Sequence, residues 1–422
     1  MDLAVVKTRI SSLNTLRLWQ PRADFALPRK ILLRHHREFY RRITSPTVRD
    51  YSIHYNLLTA ARRLPRPSKP SPANGSGCFD THRLFTNRSK QCELGQANRD
   101  YYQPPRTGSL TYLPPSWIPF GELMRLDKPA GTYYLFLPCL FSTLLAACHA
   151  QPSVPAILTT SALFFGGAFI MRGAGCTIND LWDRKLDPHV ARTRFRPIAR
   201  QAISPFIALI FAGFQCLAGL GILIQFPSPC LYYGIPSLLL VAIYPLAKRV
   251  TNYPQFVLGL TFSWGAIMGF PALGVDLVTD ITAVKAVAAL YMSCVSWTVL
   301  YDMIYAHMDI KDDIKVGIKS IALRHEKETK AVLSSLAVAQ VGFLAVAGTV
   351  LNLGATFFLG SCGSAAATLG LMISKVRLQD PRDCWWWFQN GVWLTGGGIS
   401  LGMLAEYINV SAMLSFAASD AG

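Results

Sequence analysis

Three stretches of this 422-residue chain contain no charged side chain. They cover residues 129–171, 201–247 and 331–374, so each is more than 40 residues long. An α-helix crosses a bilayer with about 20 apolar residues, so each stretch is long enough for two membrane spans. The absence of charge over such lengths excludes an ordinary soluble domain.

Each charge-free stretch is interrupted near its middle by turn-forming residues. The interruptions are Gln-Pro-Ser at 151–153, Pro-Ser-Pro at 227–229 and Asn-Leu-Gly at 352–354. Each stretch is therefore predicted to form a helical hairpin. Three more spans are predicted from shorter apolar runs at 250–275, 283–305 and 384–405. The sequence thus predicts an all-α integral membrane protein with about nine transmembrane helices.

Cysteine pairing is also missing, because none of the ten cysteines belongs to a Cys-x-x-Cys motif. Most of them lie inside the apolar runs, where a thiol behaves as a small apolar side chain. This pattern predicts neither a zinc site nor a disulfide framework.

Acidic residues are scarce at the N-terminus, where residues 1–106 hold 20 Lys and Arg against seven Asp and Glu. An Arg-rich, Ser-containing and acid-poor start is typical of an organelle-targeting segment, and a basic tail without that role is the alternative. No nucleic-acid-binding module accompanies it, so nucleic acid is not an expected partner. We predict a basic leader and linker over 1–103, an interfacial approach over 104–119 and a transmembrane domain over 120–412.

The first acidic cluster follows the second predicted span. Asn179, Asp183 and Asp187 are spaced four residues apart, which predicts that they share one face of a helix. Pro188 predicts that this helix ends at Asp187. Carboxylates are unfavourable at the C-terminal end of a helix, so a cation is expected beside them. Mg²⁺ is suitable because it commonly bridges one or two carboxylates to substrate phosphates.

A second acidic cluster follows the sixth predicted span. On one continuous helix, Asp302, Asp309 and Asp313 share a face, whereas Asp312 lies about 100° away and is expected to be solvated. His307 lies off the acidic face, so a local hydrogen bond is expected there. The alternative for both clusters is pairing with nearby basic side chains, such as Arg184, Lys185, Arg192 and Arg196.

Two further basic residues and one aromatic run complete the candidate features. Arg172 precedes Asn179 by seven residues, so it is predicted on the same face and about two turns deeper. There it would suit an anionic acceptor such as a carboxylate, the alternative being an arginine that extends to the membrane interface. Lys319 is placed to reach a phosphate or to be an exposed loop residue. The three tryptophans at 385–387 are predicted to be an interfacial anchor rather than a stacking platform.

These residues resemble the UbiA superfamily of intramembrane aromatic prenyltransferases over roughly residues 120–410. The resemblance is carried mainly by R-G-A-G-C-T-I-N-D-L-W-D-R-K-L-D at 172–187 and Y-D-M-I-Y-A-H-M-D-I-K-D-D at 301–313. Shorter matches are R-L-D-K-P-A-G at 125–131, R-T-R-F-R-P-I-A at 192–199 and Y-P-L-A-K-R at 244–249. The resemblance implies a helical bundle around a central cavity. It also implies that Mg²⁺ supports transfer of a polyprenyl group from its diphosphate to an aromatic ring.

The resemblance also implies roles for individual side chains. The implied magnesium ligands are Asn179, Asp183, Asp187, Asp302, Asp309 and Asp313, of which Asp183, Asp187, Asp309 and Asp313 are the catalytic candidates. The implied diphosphate contacts are Lys185, Arg192, Arg196 and Lys248, and spacing adds Lys319. Arg125 and Arg172 are the candidates for the acceptor's acid group.

Within the superfamily, the match is to the branch that prenylates 4-hydroxybenzoate in ubiquinone synthesis. That branch implies a multi-pass protein of the mitochondrial inner membrane, acting beside a ubiquinone-biosynthesis complex; another endomembrane is the alternative if the leader is not a transit peptide. Met308 stands where a Gln is common, and R-F-R-P-I-A-R also occurs in relatives that farnesylate phenolic acids in fungal meroterpenoid pathways. The acceptor therefore stays open between these two branches. An ion-coupled transporter is the alternative from another class.

Overall fold

The computed structural model describes residues 102–420, and all regular secondary structure in that range is helical. The predicted leader over 1–103 lies outside this range, apart from its last two residues. We number the α-helices in chain order: α1 Ile118–Leu123, α2 Ala130–Ala150, α3 Val154–Asp183, α4 Pro205–Leu223, α5 Pro229–Gly234, α6 Ser237–Ile243, α7 Ala247–Val250, α8 Pro254–Phe262, α9 Gly265–Ala272, α10 Ile281–Ala306, α11 Ile310–Val316, α12 Ile321–Arg324, α13 Thr329–Val350, α14 Ala355–Phe357, α15 Gly363–Lys375, α16 Pro381–Gly391 and α17 Gly398–Asp420. Short π-helical segments precede α15 and α17.

The three predicted hairpin breaks are confirmed. The helix pairs α2 and α3, α4 and α5, and α13 and α14 are separated at the predicted interruptions. Eight helical stretches within residues 102–420 are long and apolar enough to cross a membrane. The run at 250–275 instead forms the two short helices α8 and α9, which meet at Ser263 and Trp264. The count of about nine is therefore roughly right, with one predicted span broken in two.

The bundle has central and peripheral helices. The spans α2 and α10 are mostly buried, whereas α3, α4 and α13 leave most of their residues accessible. In the centre α10 packs against α13, and α2 packs against α9. At the second contact the backbone amide of Gly269 donates to Ser142 Oγ at 2.9 Å, and a side chain at Gly269 would collide with the α2 backbone. The apolar outer surface fits contact with lipid, because it includes Leu209, Phe214 and Leu217.

Both acidic motifs lie where long helices end, although the ends differ from those predicted. Helix α3 ends at Asp183, four residues earlier than predicted, and Asp187 begins a short 3₁₀ turn. The Leu186 amide donates to the Asp183 carbonyl at 2.7 Å, so the chain tightens before Pro188 is reached. The second motif is not one continuous helix either, because α10 ends at Ala306 and α11 begins at Ile310.

Prolines shape the segment between α5 and α8. Pro236 separates α5 from α6, and Pro245 lies in the 3₁₀ turn that follows α6. Each proline lacks a backbone donor and interrupts the regular helix. The resulting bend brings Tyr244 and Lys248 to the wall of an internal cavity.

Candidate active site

A cavity of about 490 Å³ lies among the ends of these helices. It is lined by both acidic motifs and by basic residues from four other segments. Of the predicted site residues, it brings together Asn179, Asp183, Asp187, Asp302, Asp309, Asp313, Arg125, Arg172, Arg192, Arg196, Lys248 and Lys319.

Lys185 is the one predicted site residue outside the cavity lining. Its side chain is exposed on the turn after α3, so this structure gives it no contact with the cavity. Conversely, Tyr102 and Gln103 line the cavity although the sequence assigned them to the leader. Tyr102 donates to Glu122 at 2.7 Å and its ring lies against Arg200. The last two residues of the predicted leader and linker thus contact the cavity, while the domain boundaries themselves stay a prediction.

Several acidic side chains of the cavity, among them Asp183, Asp187 and Asp309, are paired with basic ones. Lys248 donates to the Asp183 carboxylate. Arg192 donates from Nε and Nη2 to the two Asp309 oxygens at 2.8 and 2.6 Å, and from Nη1 to the Tyr305 hydroxyl at 2.6 Å. Asp312 lies outside the lining and pairs with the exposed Lys315, as expected for a solvated side chain. The alternative that acidic residues pair with nearby basic side chains is therefore observed. Lys248 is one of the partners, although the sequence analysis did not name it for this role.

His307 makes the local contacts expected of it. Its Nδ1 lies 2.7 Å from the Met303 carbonyl and its Nε2 lies 3.1 Å from Thr329 Oγ1. Burial lowers the pKa of His307, so the neutral ring is favoured. The residue belongs to the packing between α10 and α13 and does not line the cavity.

The lining residues have the chemistry that Mg²⁺ requires, but they do not form a preformed cage. Within residues 102–420 no three His, Cys, Asp or Glu side chains lie close enough together to hold a metal ion. Asp183 Oδ1 is buried without a hydrogen-bond partner. Burial and the adjacent Asp309 carboxylate raise the pKa of Asp313 to about 7. These crowded oxygens fit a cation that takes one or two carboxylates and completes its coordination with substrate phosphates and water.

Asp187 shows the same crowding. Burial raises the pKa of Asp187, and although the Arg196 guanidinium opposes the shift, the Asp180 and Asp183 carboxylates reinforce it. A cation entering the cavity would relieve this repulsion, because it favours the charged carboxylate.

Arg125 lines the cavity, but its guanidinium is already paired with a carboxylate. Its Nη2 donates to the two oxygens of Asp180 at 2.7 and 2.8 Å, and its Nη1 donates to the Glu122 carbonyl at 2.8 Å. Burial opposes the charge, but the Asp180 carboxylate outweighs it and raises the pKa of Arg125. The prediction that Arg125 contacts the acceptor stays untested. Sequence reasoning missed Asp180 because it lies about 100° around the helix from Asn179.

Arg172 carries a charge that no carboxylate balances among residues 102–420. Within residues 102–420 no carboxylate lies within 4.0 Å of it, and its Nε is buried without a hydrogen-bond partner. Its guanidinium lies 5.7 Å from the centre of the Phe262 ring and against Gly131, where a Cβ would overlap it. Arg172 therefore lies in the cavity lining. It projects into the interior, where an anionic ligand would find an unpaired charge.

We expect Gly131→Ala to displace Arg172 and to raise the KM for an anionic acceptor about tenfold, the scale of one weakened charged hydrogen bond. Steady-state kinetics in membranes would measure it, with the KM for the second substrate little changed. Gly342→Ala is the matched control, because that glycine lies on α13 with nothing within 4 Å of the added carbon. An unchanged acceptor KM in Gly131→Ala would contradict this account of the glycine.

An aromatic wall lines the cavity beside the second acidic motif. We use this name for Tyr134, Tyr301, Tyr305, Trp385 and Phe388, all of which line the cavity. The rings of Tyr134 and Tyr301 stack with centroids 3.7 Å apart, and Trp385 stacks on Phe388 at 5.7 Å. Trp385 thus stacks on a neighbouring ring at the cavity, whereas the prediction that the run anchors the protein at the membrane interface stays untested. Only Trp386 of the three is exposed, because the amphipathic helix α16 turns its neighbours inward.

A second, larger cavity of about 700 Å³ adjoins the first. The two share Arg172, Tyr244 and Phe262 in their linings. The second cavity is lined mainly by apolar and small residues of α3, α4, α5, α6 and α9. It extends to Phe164 and Phe226, whose rings stack 4.6 Å apart. A charged cavity beside an apolar one is suited to a ligand with a phosphorylated head and a hydrocarbon tail.

The fold and the paired cavities define a class: intramembrane enzymes that act on lipid-linked phosphates. Residues 137–395 match the UbiA prenyltransferase family. The chain is 44% identical over 329 residues to a protein from Saccharomyces cerevisiae, the mitochondrial 4-hydroxybenzoate polyprenyltransferase, covering 77% of this chain and 84% of that one. This chain therefore belongs to the UbiA prenyltransferase family, and it is a prenyltransferase.

Two solved structures share the fold. The apo UbiA homologue from Aeropyrum pernix superposes with a TM-score of 0.51 at 21% identity, over 65% of this chain and 96% of that one. A UbiA homologue from Archaeoglobus fulgidus, bound to GPP and Mg²⁺, has a TM-score of 0.50 at 15% identity, over 69% and 99% of the respective chains. At these identities the likeness shows the helical fold alone.

Proposed function

We propose that this protein transfers a polyprenyl group from polyprenyl diphosphate to the ring of 4-hydroxybenzoate, with Mg²⁺ as cofactor, as a step of ubiquinone biosynthesis. The observation that carries the proposal is the 44% identity to the yeast enzyme over 84% of that enzyme's length. The charged cavity and the adjoining apolar cavity support it, because together they match a diphosphate with a long tail.

The basic side chains of the charged cavity bind the diphosphate in this proposal. Arg192, Arg196, Lys248 and Lys319 line the cavity from three segments, and the Lys319 ammonium is held by the Val250 carbonyl at 3.3 Å. When the carbon–oxygen bond to the prenyl group breaks, negative charge grows on the departing diphosphate. Fixed cations in a site with little water stabilise that charge without having to reorganise.

The two acidic motifs hold Mg²⁺ in this proposal. Asn179, Asp183 and Asp187 would supply ligands on one side of the cavity, and Asp302, Asp309 and Asp313 on the other. When bound, the metal supplies positive charge that offsets the charge of the leaving diphosphate. Arg192, Arg196 and Lys248 pair with Asp309, Asp187 and Asp183, respectively, so these cations are already held in the lining where the diphosphate would bind.

Arg172 binds the carboxylate of the aromatic acceptor in this proposal. Its guanidinium lies at the junction of the two cavities, and an acceptor held there would present its ring near the head of the prenyl chain. Loss of diphosphate leaves an allylic cation, which the ring attacks to form the new carbon–carbon bond; the ring then loses a proton. The π faces of the aromatic wall favour a cation nearby, and the apolar surroundings exclude water that would otherwise capture it.

The apolar cavity accommodates the prenyl tail. Gly213 of α4 lines it, and nothing lies within 4 Å of a carbon added there. We expect Gly213→Phe to fill the cavity and to lower kcat/KM for a long polyprenyl diphosphate about tenfold, with a smaller effect on dimethylallyl diphosphate. The ratio of the two donors' kcat/KM values, measured in membranes, is the readout.

Gly221→Phe is the matched control for the tail cavity. Gly221 lies on the same helix with equally open space, but it does not line the cavity. Its donor ratio should equal that of the unmodified protein. An equal loss for long and short donors in Gly213→Phe would argue against a tail in this cavity.

The mitochondrial inner membrane is the proposed location, with residues 1–103 as leader and linker, 104–119 as interfacial approach and 120–412 as the membrane domain. The mitochondrial enzyme of yeast and the basic, acid-poor start of the chain support it. A ubiquinone-biosynthesis complex is the proposed assembly.

One assay tests the proposed function. Membranes carrying the protein receive 4-hydroxybenzoate with either farnesyl or a long polyprenyl diphosphate, and mass spectrometry identifies any prenylated ring. We expect product from the long donor, its loss with a chelator and its return with Mg²⁺. Product from farnesyl diphosphate alone, or only with another phenolic acid, would favour the meroterpenoid branch. Release of diphosphate coupled to product would exclude the transporter.

A further inference from the structure

We propose that Asp180 is a positioning residue, which holds the guanidinium groups of Arg125 and Arg196 at the cavity wall during turnover. The inference rests on the proposed function, because it assumes that the cavity binds a prenyl diphosphate. Asp180 is completely buried and does not line the cavity, whereas both arginines do. It therefore acts from behind the wall and never contacts substrate.

The geometry makes Asp180 the common partner of both cations. Arg125 Nη2 lies 2.7 Å from Asp180 Oδ1 and 2.8 Å from Oδ2. Arg196 Nη1 lies 3.1 Å from the same Oδ1. One carboxylate thus brings together two like charges that would otherwise repel each other in a poorly solvated site. Without it the two guanidinium groups would move apart.

Arg196 has a second carboxylate partner, Asp187, which unlike Asp180 lines the cavity. Its Nη1 also lies 3.1 Å from both oxygens of Asp187, which lines the cavity. Asp187 is thus accessible to any ligand that enters, and it can exchange Arg196 for that ligand. Asp180 has no such access. When Asp187 exchanges partners, Asp180 is the contact that keeps Arg196 directed toward the cavity.

The backbone conformation of Arg125 is unfavourable by itself, which indicates that the contact with Asp180 helps to maintain it. Arg125 has a φ of 60°, a left-handed conformation that is unfavourable for a residue with a side chain. The side-chain contacts to Asp180 and to the Glu122 carbonyl hold it in the turn between α1 and α2. The turn therefore depends on a buried carboxylate of α3, which links the first motif to the segment at 125–131.

Asp180→Asn tests the inference, because it keeps the size of the side chain and removes its charge. Two quantities are measured in the full chain: the KM for the prenyl diphosphate, and the binding of farnesyl thiodiphosphate, an unreactive analogue, followed as a shift in Tm without added metal. We expect the KM and the analogue's Kd to rise about tenfold. Asp312→Asn is the matched control, because it removes a carboxylate of the same region that lies outside the cavity lining and whose ion pair is with the exposed Lys315.

A second pair of variants separates positioning from simple neutralisation of a buried charge. Arg125→Gln leaves Asp180 with Arg196 alone. If Asp180 positions Arg196, adding Asp180→Asn to that variant raises the donor KM and the analogue's Kd about tenfold further. If Asp180 only neutralises Arg125, the double variant matches Arg125→Gln in both constants, and that result would overturn the inference whatever happens to stability.

The analogue measurement also keeps the two proposals apart. Absence of product from the unmodified protein would refute the proposed reaction, while analogue binding would still report on Asp180. Normal turnover by the unmodified protein, with unchanged constants in Asp180→Asn, would refute the positioning role alone.

Discussion

Asp183→Asn should lower kcat for prenyl transfer by about a thousandfold, because it removes charge from the carboxylate that ends α3 at the wall of the charged cavity. Asp183 is almost fully buried, pairs with Lys248 and has one oxygen without a hydrogen-bond partner. That oxygen lies 4.0 Å from Arg249 Nη2 and is the one that we expect to bind a metal ion. The measurement is single-turnover product formation at saturating Mg²⁺ and donor.

A loss of folding must be separated from a loss of chemistry in this variant. The change leaves Lys248 without its carboxylate partner, and removing one partner of a buried ion pair destabilises a protein. Lys248→Gln with Asp183→Asn removes both charges and should recover the amount of folded protein without recovering kcat. Asp312→Asn, outside the cavity, should retain normal kcat. Near-normal turnover of folded Asp183→Asn would refute its assignment as a metal ligand.

Arg172→Gln should raise the KM for 4-hydroxybenzoate about 10- to 100-fold, which is the scale of one lost charged hydrogen bond. The reason is that Arg172 is the cation without a carboxylate partner at the junction of the two cavities, among the residues that the structure describes. The KM of Arg172→Gln for the prenyl diphosphate should change much less, because several other cations are available to bind the diphosphate.

The acceptor itself supplies the sharper test of Arg172. The unmodified protein should strongly prefer 4-hydroxybenzoate to its uncharged amide, 4-hydroxybenzamide. Arg172→Gln should use the two with similar kcat/KM, because no guanidinium is left to recognise the charge. Arg184→Gln is the control, since Arg184 is exposed and donates to the Leu181 carbonyl. A preference that survives in Arg172→Gln would assign the carboxylate to another residue.

The prediction for Gly131→Ala follows from the same contact. In the sequence, the segment at 125–131 was identified only by its resemblance to the family. That resemblance gave no physical reason for a glycine at position 131. The structure supplies that reason, because the Arg172 guanidinium occupies the space where a side chain would begin. Two motifs that are 41 residues apart in the sequence, at Gly131 and Arg172, thus form one contact.

The errors in the sequence-based predictions have physical causes. Both acidic motifs were treated as continuous helices, yet α3 ends at Asp183 and α10 ends at Ala306. The predicted residues still reach the cavity, because turns after each helix redirect the chain toward it. Trp385 and Asp180 were left out of the candidate site, because neither lies on the face that the local spacing indicated. Which face of a helix is occupied depends on its neighbours.

The sequence by itself determined the membrane class, the hairpin breaks and the identity of the acidic motifs. Each of these follows from local properties: the length of charge-free runs, the turn residues within them and the spacing of carboxylates. Only the tertiary structure decided which cation pairs with which carboxylate, that Arg172 has no carboxylate partner among residues 102–420, and that a charged cavity lies beside an apolar one. Those features join residues far apart in the chain, and hydropathy and spacing carry no information about such contacts.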